Sequence, residues 1–141
     1  MGLYGTAGTA WRQACKNRLE TASIPWHDPT DTRWDSITHD NGDTHQELID
    51  ILVAEEHRAL EDARCIIFHL RGGAEPSLSL AARCELGWLA AADKPAFVHI
   101  EYDALGRNYL WSVVKLYPHL TTYSSLEKAV DSAIGFMTSD H

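Results

Sequence analysis

The run Cys65-Ile66-Ile67-Phe68-His69-Leu70 constrains this chain more than any other segment. A strand with one wet face alternates polar and apolar residues, whereas a strand covered on both faces reads as a nearly continuous apolar run. The run therefore predicts a central strand of a mostly parallel sheet, and such a sheet needs helices on both faces.

The remaining segments supply that architecture. Gly2-Leu3-Tyr4 reads as a first strand, Gly5 to Thr9 as a flexible turn, and Thr9 to Thr21 as a helix with Trp11, Ala14, Cys15, Arg18, Leu19 and Ala22 on one face. Ile24-Pro25-Trp26 is a brief second strand whose proline places it at a sheet edge. His27 to Gly42 is a polar connection holding Trp34, long enough to predict a lid or binding loop. Thr44-His45-Gln46-Glu47 has the form of a capping box, opening a helix to about Ala63 whose buried stripe is Leu48, Leu52, Ala59, Leu60 and Ala63. After the central run come a Gly- and Pro-bearing loop over residues 71–76, a helix from Ser79 to Ala92 and a strand from Ala96 to Ile100. Tyr102 to Tyr117 fits either a helix or a strand. Leu120 to Tyr123 is a last strand, and Ser124-Ser125-Leu126-Glu127 a second capping box before a helix from Leu126 to Phe136. The expectation is one α/β domain over residues 1–141, a Rossmann-like or flavodoxin-like three-layer fold with about five strands and its crevice between the first and third.

Composition narrows the function. Twelve basic against 20 acidic residues give a formal charge of −8, which offers no surface for a polynucleotide backbone. A small anion remains compatible, since one Arg and a helix amino terminus can hold it. Cys15, Cys65 and Cys84 sit in apolar patterns without Cys-x-x-Cys spacing, which predicts core packing in a reducing compartment. No secretory signal or apolar span of membrane length is visible, so the expected location is cytoplasmic. The eight histidines lack zinc-site spacing, so no metal is expected. No dinucleotide, P-loop or nucleophile-elbow motif occurs, and no cofactor is expected.

In the expected topology the loops after the first four strands converge, bringing Tyr4 to Thr6, His27-Asp28, His69 with Arg71, and Glu101-Tyr102 to one rim. The helix bearing Glu85 begins there. An acid so placed is a candidate nucleophile or base; otherwise it is a solvated helix residue.

Tyr4-Gly5-Thr6, Trp11-Arg12, Asp28-Pro29, Ala63 before the central strand, and Ser79-Leu80 followed by Glu85-Leu86-Gly87 together resemble the nucleoside 2-deoxyribosyltransferase superfamily, in its transferase-like branch. The resemblance implies a homo-oligomer, a nucleoside or nucleotide substrate, and cleavage or exchange of N-glycosidic bonds in 2′-deoxynucleosides or their monophosphates. It gives Glu85 the role of nucleophile, attacking C1′ to form a covalent glycosyl intermediate. Asp28 becomes the candidate acid or base-recognising group, or else simply forms the turn before Pro29. Tyr4, Gly5 and Thr6 fall at the sugar pocket, although Tyr4 equally suits the core. Ser79 either contacts a 5′-hydroxyl or phosphate or only caps its helix. Trp11 and Trp34 stack on a base or pack, Arg12 clamps a phosphate or is solvated, and His69 lines the site.

Two departures accompany the resemblance. Arg64 stands where many members carry Asp, so that carboxylate is missing or displaced to Asp62, and Ala81-Ala82-Arg83-Cys84 replaces a Gly-rich stretch. A catalytically silent nucleotide-binding or regulatory protein, or a nucleotide-sensing partner, is the alternative on the same fold.

Overall fold

The apolar run forms the interior of the sheet. In the computed structural model, which describes residues 1–6, 10–30, 32–37, 41–73 and 80–139, strand β2 (Ile66–Leu70) lies between β1 (Gly2–Gly5) and β3 (Ala96–Ile100), and β4 (Leu120–Tyr123) closes the far edge. All three pairings are parallel. Every residue of β1 and β2 is buried. Helices α1 (Ala10–Thr21) and α5 (Leu126–Thr138) lie on one face, where Leu3, Ile67, Cys15, Leu19, Val130 and Ala133 pack together. On the other face α2 (Gln46–Asp62), α3 (Leu80–Ala91) and α4 (Arg107–Val114) cover Tyr4, Ile66, Phe68, Val98 and Ile100. The alternation of side-chain direction along each strand sorts the core into these two layers.

Among the described residues the sheet has four strands rather than about five. Ile24-Pro25-Trp26 forms no strand; only His27 bridges to Gly2, with its N–H on the Met1 carbonyl (2.8 Å) and its carbonyl accepting from Leu3 (3.0 Å). Pro25 has no N–H to extend the ladder, and Asp28 turns the chain away by accepting from the Thr30 N–H at 2.9 Å. The segment still occupies the edge beside β1, so the expected strand order survives with its second member reduced to one bridge. The segment after β3, open to either reading, is helix α4, preceded by left-handed Gly106.

Both capping assignments need correction. The Thr44 hydroxyl donates back to the Asn41 carbonyl (2.8 Å) within the short 3-10 turn Gly42–His45, so it does not cap α2. At α5 the cap is Ser125, one residue later than expected, its Oγ accepting from Lys128 N at 3.1 Å. Ala14 and Cys84 are exposed, whereas Cys15 and Cys65 are buried in the core as expected. Ala14 falls off the stripe set by Trp11, Cys15 and Leu19, and Cys84 lies beside rather than on the face carrying Ala82, Glu85 and Leu89. No described helix is long and apolar enough to cross a membrane.

Candidate active site

The carboxyl end of β1 needs a glycine. Gly5 has φ of +139°, and a Cβ there would stand 2.0 Å from the His69 carbonyl oxygen on β2. The resulting turn aims the Gly5 N–H at Glu85, whose Oε2 accepts it at 3.2 Å. Glu85 projects from α3 and is only 7% exposed. Burial, and then the negative charge of Glu56, pushes its carboxyl up to about 8; Arg12 and the Gly5 N–H offset this only in part. At neutral pH the site therefore holds Glu85 protonated.

Arg12 braces the same rim from below. It is buried, its Nη1 donating to the Leu3 carbonyl (3.1 Å) and its Nη2 to the carbonyls of Gly5 (3.2 Å) and Thr6 (3.4 Å). Asp28 completes the arrangement through Arg12 Nη1 at 3.3 Å and Lys16 Nζ at 2.8 Å. Arg12 is thus neither a solvated helix residue nor a free phosphate clamp. Burial alone would raise the Asp28 carboxyl, but Lys16, Thr30 and Arg12 together outweigh it and hold the group below its ordinary value. Asp28 is consequently a fixed anion at neutral pH.

Several residues expected to face substrate are engaged elsewhere. Tyr4 is fully buried, with its hydroxyl donating to the Glu56 carbonyl at 2.8 Å. The Thr6 hydroxyl accepts from Arg71 N at 2.8 Å, tying the loops after β1 and β2 together. Trp11 donates from Nε1 to the Thr6 carbonyl (3.0 Å), while Arg12 lies over its ring at 4.4 Å and His69 packs against it at 5.1 Å, which leaves no face for a base. His69 stacks on His99 with Nδ1 atoms 3.0 Å apart; burial and then the His99 charge push its pKa down to about 3, so it stays neutral. Ser79 and the stretch 74–79 lie outside the described residues.

Trp34 does face a cavity, one of about 100 Å³ that it lines with His27, Asp28, Leu52, Glu55 and Glu56. It sits in a short 3-10 turn, Thr32–Ser36, within the polar connection, and its Nε1 donates to Glu56 Oε1 at 2.9 Å. Glu56 is the site residue that sequence reasoning missed. Leu52, Glu56 and Leu60 recur every four residues on α2, so an acid within the buried stripe was the available signal. Asp62 and Arg64 flank the amino end of β2, opposite the rim, and both are exposed. The second carboxylate near Glu85 is therefore Glu56 and not a displaced Asp62. Among the described residues no group of three or more His, Cys, Asp and Glu side chains is placed to hold a metal ion.

A family profile described as nucleoside 2-deoxyribosyltransferase like matches residues 2–104. The chain belongs to this family. A search of curated proteins found no match. The nucleoside 2-deoxyribosyltransferase-like region spans β1 through the turn after β3 and so includes Gly5, Arg12, Asp28, Glu56 and Glu85. Helix α4, β4 and α5 lie beyond it.

Proposed function

We propose that the protein cleaves or exchanges the N-glycosidic bond of 2′-deoxynucleosides or their monophosphates, with Glu85 as the nucleophile. The observation that carries this reading is Glu85 itself, a buried carboxyl fixed on Gly5 N–H at the carboxyl end of the sheet. Its ionised oxygen attacks C1′ as the C1′–N bond breaks, giving a glycosyl ester; water or a second base then displaces Glu85 from C1′. The departing base needs a proton. Asp28 is held as an anion by Lys16 and Arg12, and Glu56 acts on Glu85 as a negative charge, so the proton comes from solvent water.

This assignment fixes the sign of the pH dependence. If the ionised form of Glu85 reacts, kcat/KM on a deoxynucleoside rises with pH through about 8 and then levels. Glu56→Gln removes the charge that opposes ionisation of Glu85, so the midpoint moves to lower pH. A kcat/KM that instead falls with pH through 8 supports the second reading that a Glu85 kept protonated by burial invites, in which it is the acid.

Trp34 covers the base in this reading, which its position on the wall of the cavity beside Asp28 and Glu56 supports. Trp34→Ala is expected to weaken substrate binding by about 1 to 3 kcal/mol, the range for stacking of a base on an aromatic ring. Because Trp34 is only half-buried on a connection, Tm should hardly change. A large fall in Tm with unaltered affinity would make it a packing residue. A homo-oligomer in the cytoplasm belongs to the same reading; the assembly is supported by the exposed Leu105, Tyr109 and Leu116, and sedimentation velocity at micromolar concentration checks it.

A further inference from the structure

A second cleft opens at the same end of the sheet, beyond the family-matched region for most of its lining. It measures about 420 Å³ and lies between the carboxyl ends of β3 and β4, walled by Glu101, Tyr102, Arg107, Trp111, Tyr123 and the first residues of α5. That volume suits a small molecule. Its charges are arranged for an anion. The amino terminus of the 13-residue helix α5 opens into it at Ser125 and Leu126, and Lys128 is drawn to its edge by a hydrogen bond from Nζ to Ser124 Oγ at 3.1 Å. The guanidinium of Arg107 lies 3.9 Å over the Trp111 ring. Arg107 Nε and Trp111 Nε1 are buried donors with no acceptor among the described residues. Both atoms are shielded from solvent, so an oxygen-bearing ligand satisfies them only by drawing the stacked pair toward it. The carboxylate on the wall, Glu101, turns toward other groups, Oε2 accepting from Gly72 N (3.1 Å) and Oε1 lying 3.6 Å from His69 Nε2. Tyr102 and Tyr123 add ring surface beside the donors.

We propose that this cleft is a second small-molecule site, separate from Glu85, which binds a phosphate monoester carried on a planar ring. The phosphate rests on the α5 amino terminus and Arg107, and the ring lies among Tyr102, Tyr123 and Trp111. The proposal does not depend on the glycosidic reading: Tyr102 follows β3 at the shared rim, but Arg107, Trp111, Tyr123 and Ser125 take no part in that reading.

Calorimetric titration of the full chain with phenyl phosphate, compared with phenol, tests it. The expected result is one site with a dissociation constant below about 1 mM, no detectable binding of phenol, and unchanged affinity in Glu85→Gln. Arg107→Gln should weaken binding roughly tenfold or more, as befits loss of a charge-assisted hydrogen bond. Ser125→Asp provides a variant that keeps its helix cap, because Asp caps as well as Ser, yet places a negative charge where the phosphate sits; it should weaken binding by a similar factor. No binding to wild type, wild-type affinity in both Arg107→Gln and Ser125→Asp, or loss of binding in Glu85→Gln would each overturn the proposal.

Discussion

Glu85→Gln should lower glycosidic turnover by at least about two orders of magnitude, the scale on which loss of a nucleophile acts, and at the same time make the protein more stable at alkaline pH. The stability effect follows from the raised carboxyl. In the unfolded chain Glu85 ionises near 4.5, and in the folded protein near 8. Between those values the folded state holds a proton that the unfolded state has lost, so the contribution of Glu85 to stability is present at low pH and declines as pH rises to about 8. Gln keeps the shape and an acceptor for Gly5 N–H but cannot ionise. The variant should therefore match wild type near pH 4.5 and exceed its Tm at pH 8 by roughly 5 to 10 °C. Thermal unfolding at the two pH values, beside an assay for free base, checks both halves. A variant that loses activity and stability together would mean that Glu85 holds the fold rather than the chemistry.

Arg12→Met is expected to be the most destabilising single change at the rim, by about 3 to 5 kcal/mol, the usual consequence of removing one partner from a buried ionic network. The carbonyls of Leu3, Gly5 and Thr6 would lose their Arg12 donor, and Asp28 would keep only Lys16 of its two cations. For a chain of 141 residues this corresponds to a fall in Tm of roughly 10 °C or more. Arg12→Lys should recover little, because one ammonium cannot reach three carbonyls that a planar guanidinium serves at once. Chemical denaturation of both variants measures the loss; a change below about 1 kcal/mol would show that the bracing is dispensable.

The framework was legible in the chain because it rests on repeating patterns. The unbroken run from Ile66 to Leu70 announced burial on both faces, and Ala96–Ile100 and Leu120–Tyr123 were bounded by turn residues at both ends. The second strand failed because a single Pro and an Asx turn decide between a ladder and one bridge. The caps failed because the motif names a pair of residues without saying which hydroxyl faces the helix; Thr44 turns back to Asn41, and Ser125 rather than Ser124 meets Lys128.

The site was readable in position more than in contacts. Glu85 and Gly5 meet as their places at the sheet end require. Whether Tyr4, Thr6 and Trp11 face substrate or the core depends on distant partners, the Glu56 carbonyl, Arg71 N–H and His69, which local spacing does not encode. Glu56 was hidden for the same reason, since it comes to Glu85 through the packing of α2 beside Tyr4 and not through proximity in the chain.

The central claim is that Glu85 bonds to C1′, and peptide-resolved mass spectrometry tests it most directly. A 2′-fluorinated deoxynucleoside is the suitable probe, because the fluorine disfavours the oxocarbenium-like transition states and lets a glycosyl ester accumulate. The account predicts an added fluorodeoxyribosyl group on the peptide containing Glu85, released base in equal amount, and neither with Glu85→Gln. An adduct on another residue, or turnover of the parent deoxynucleoside with no adduct at Glu85, would contradict it.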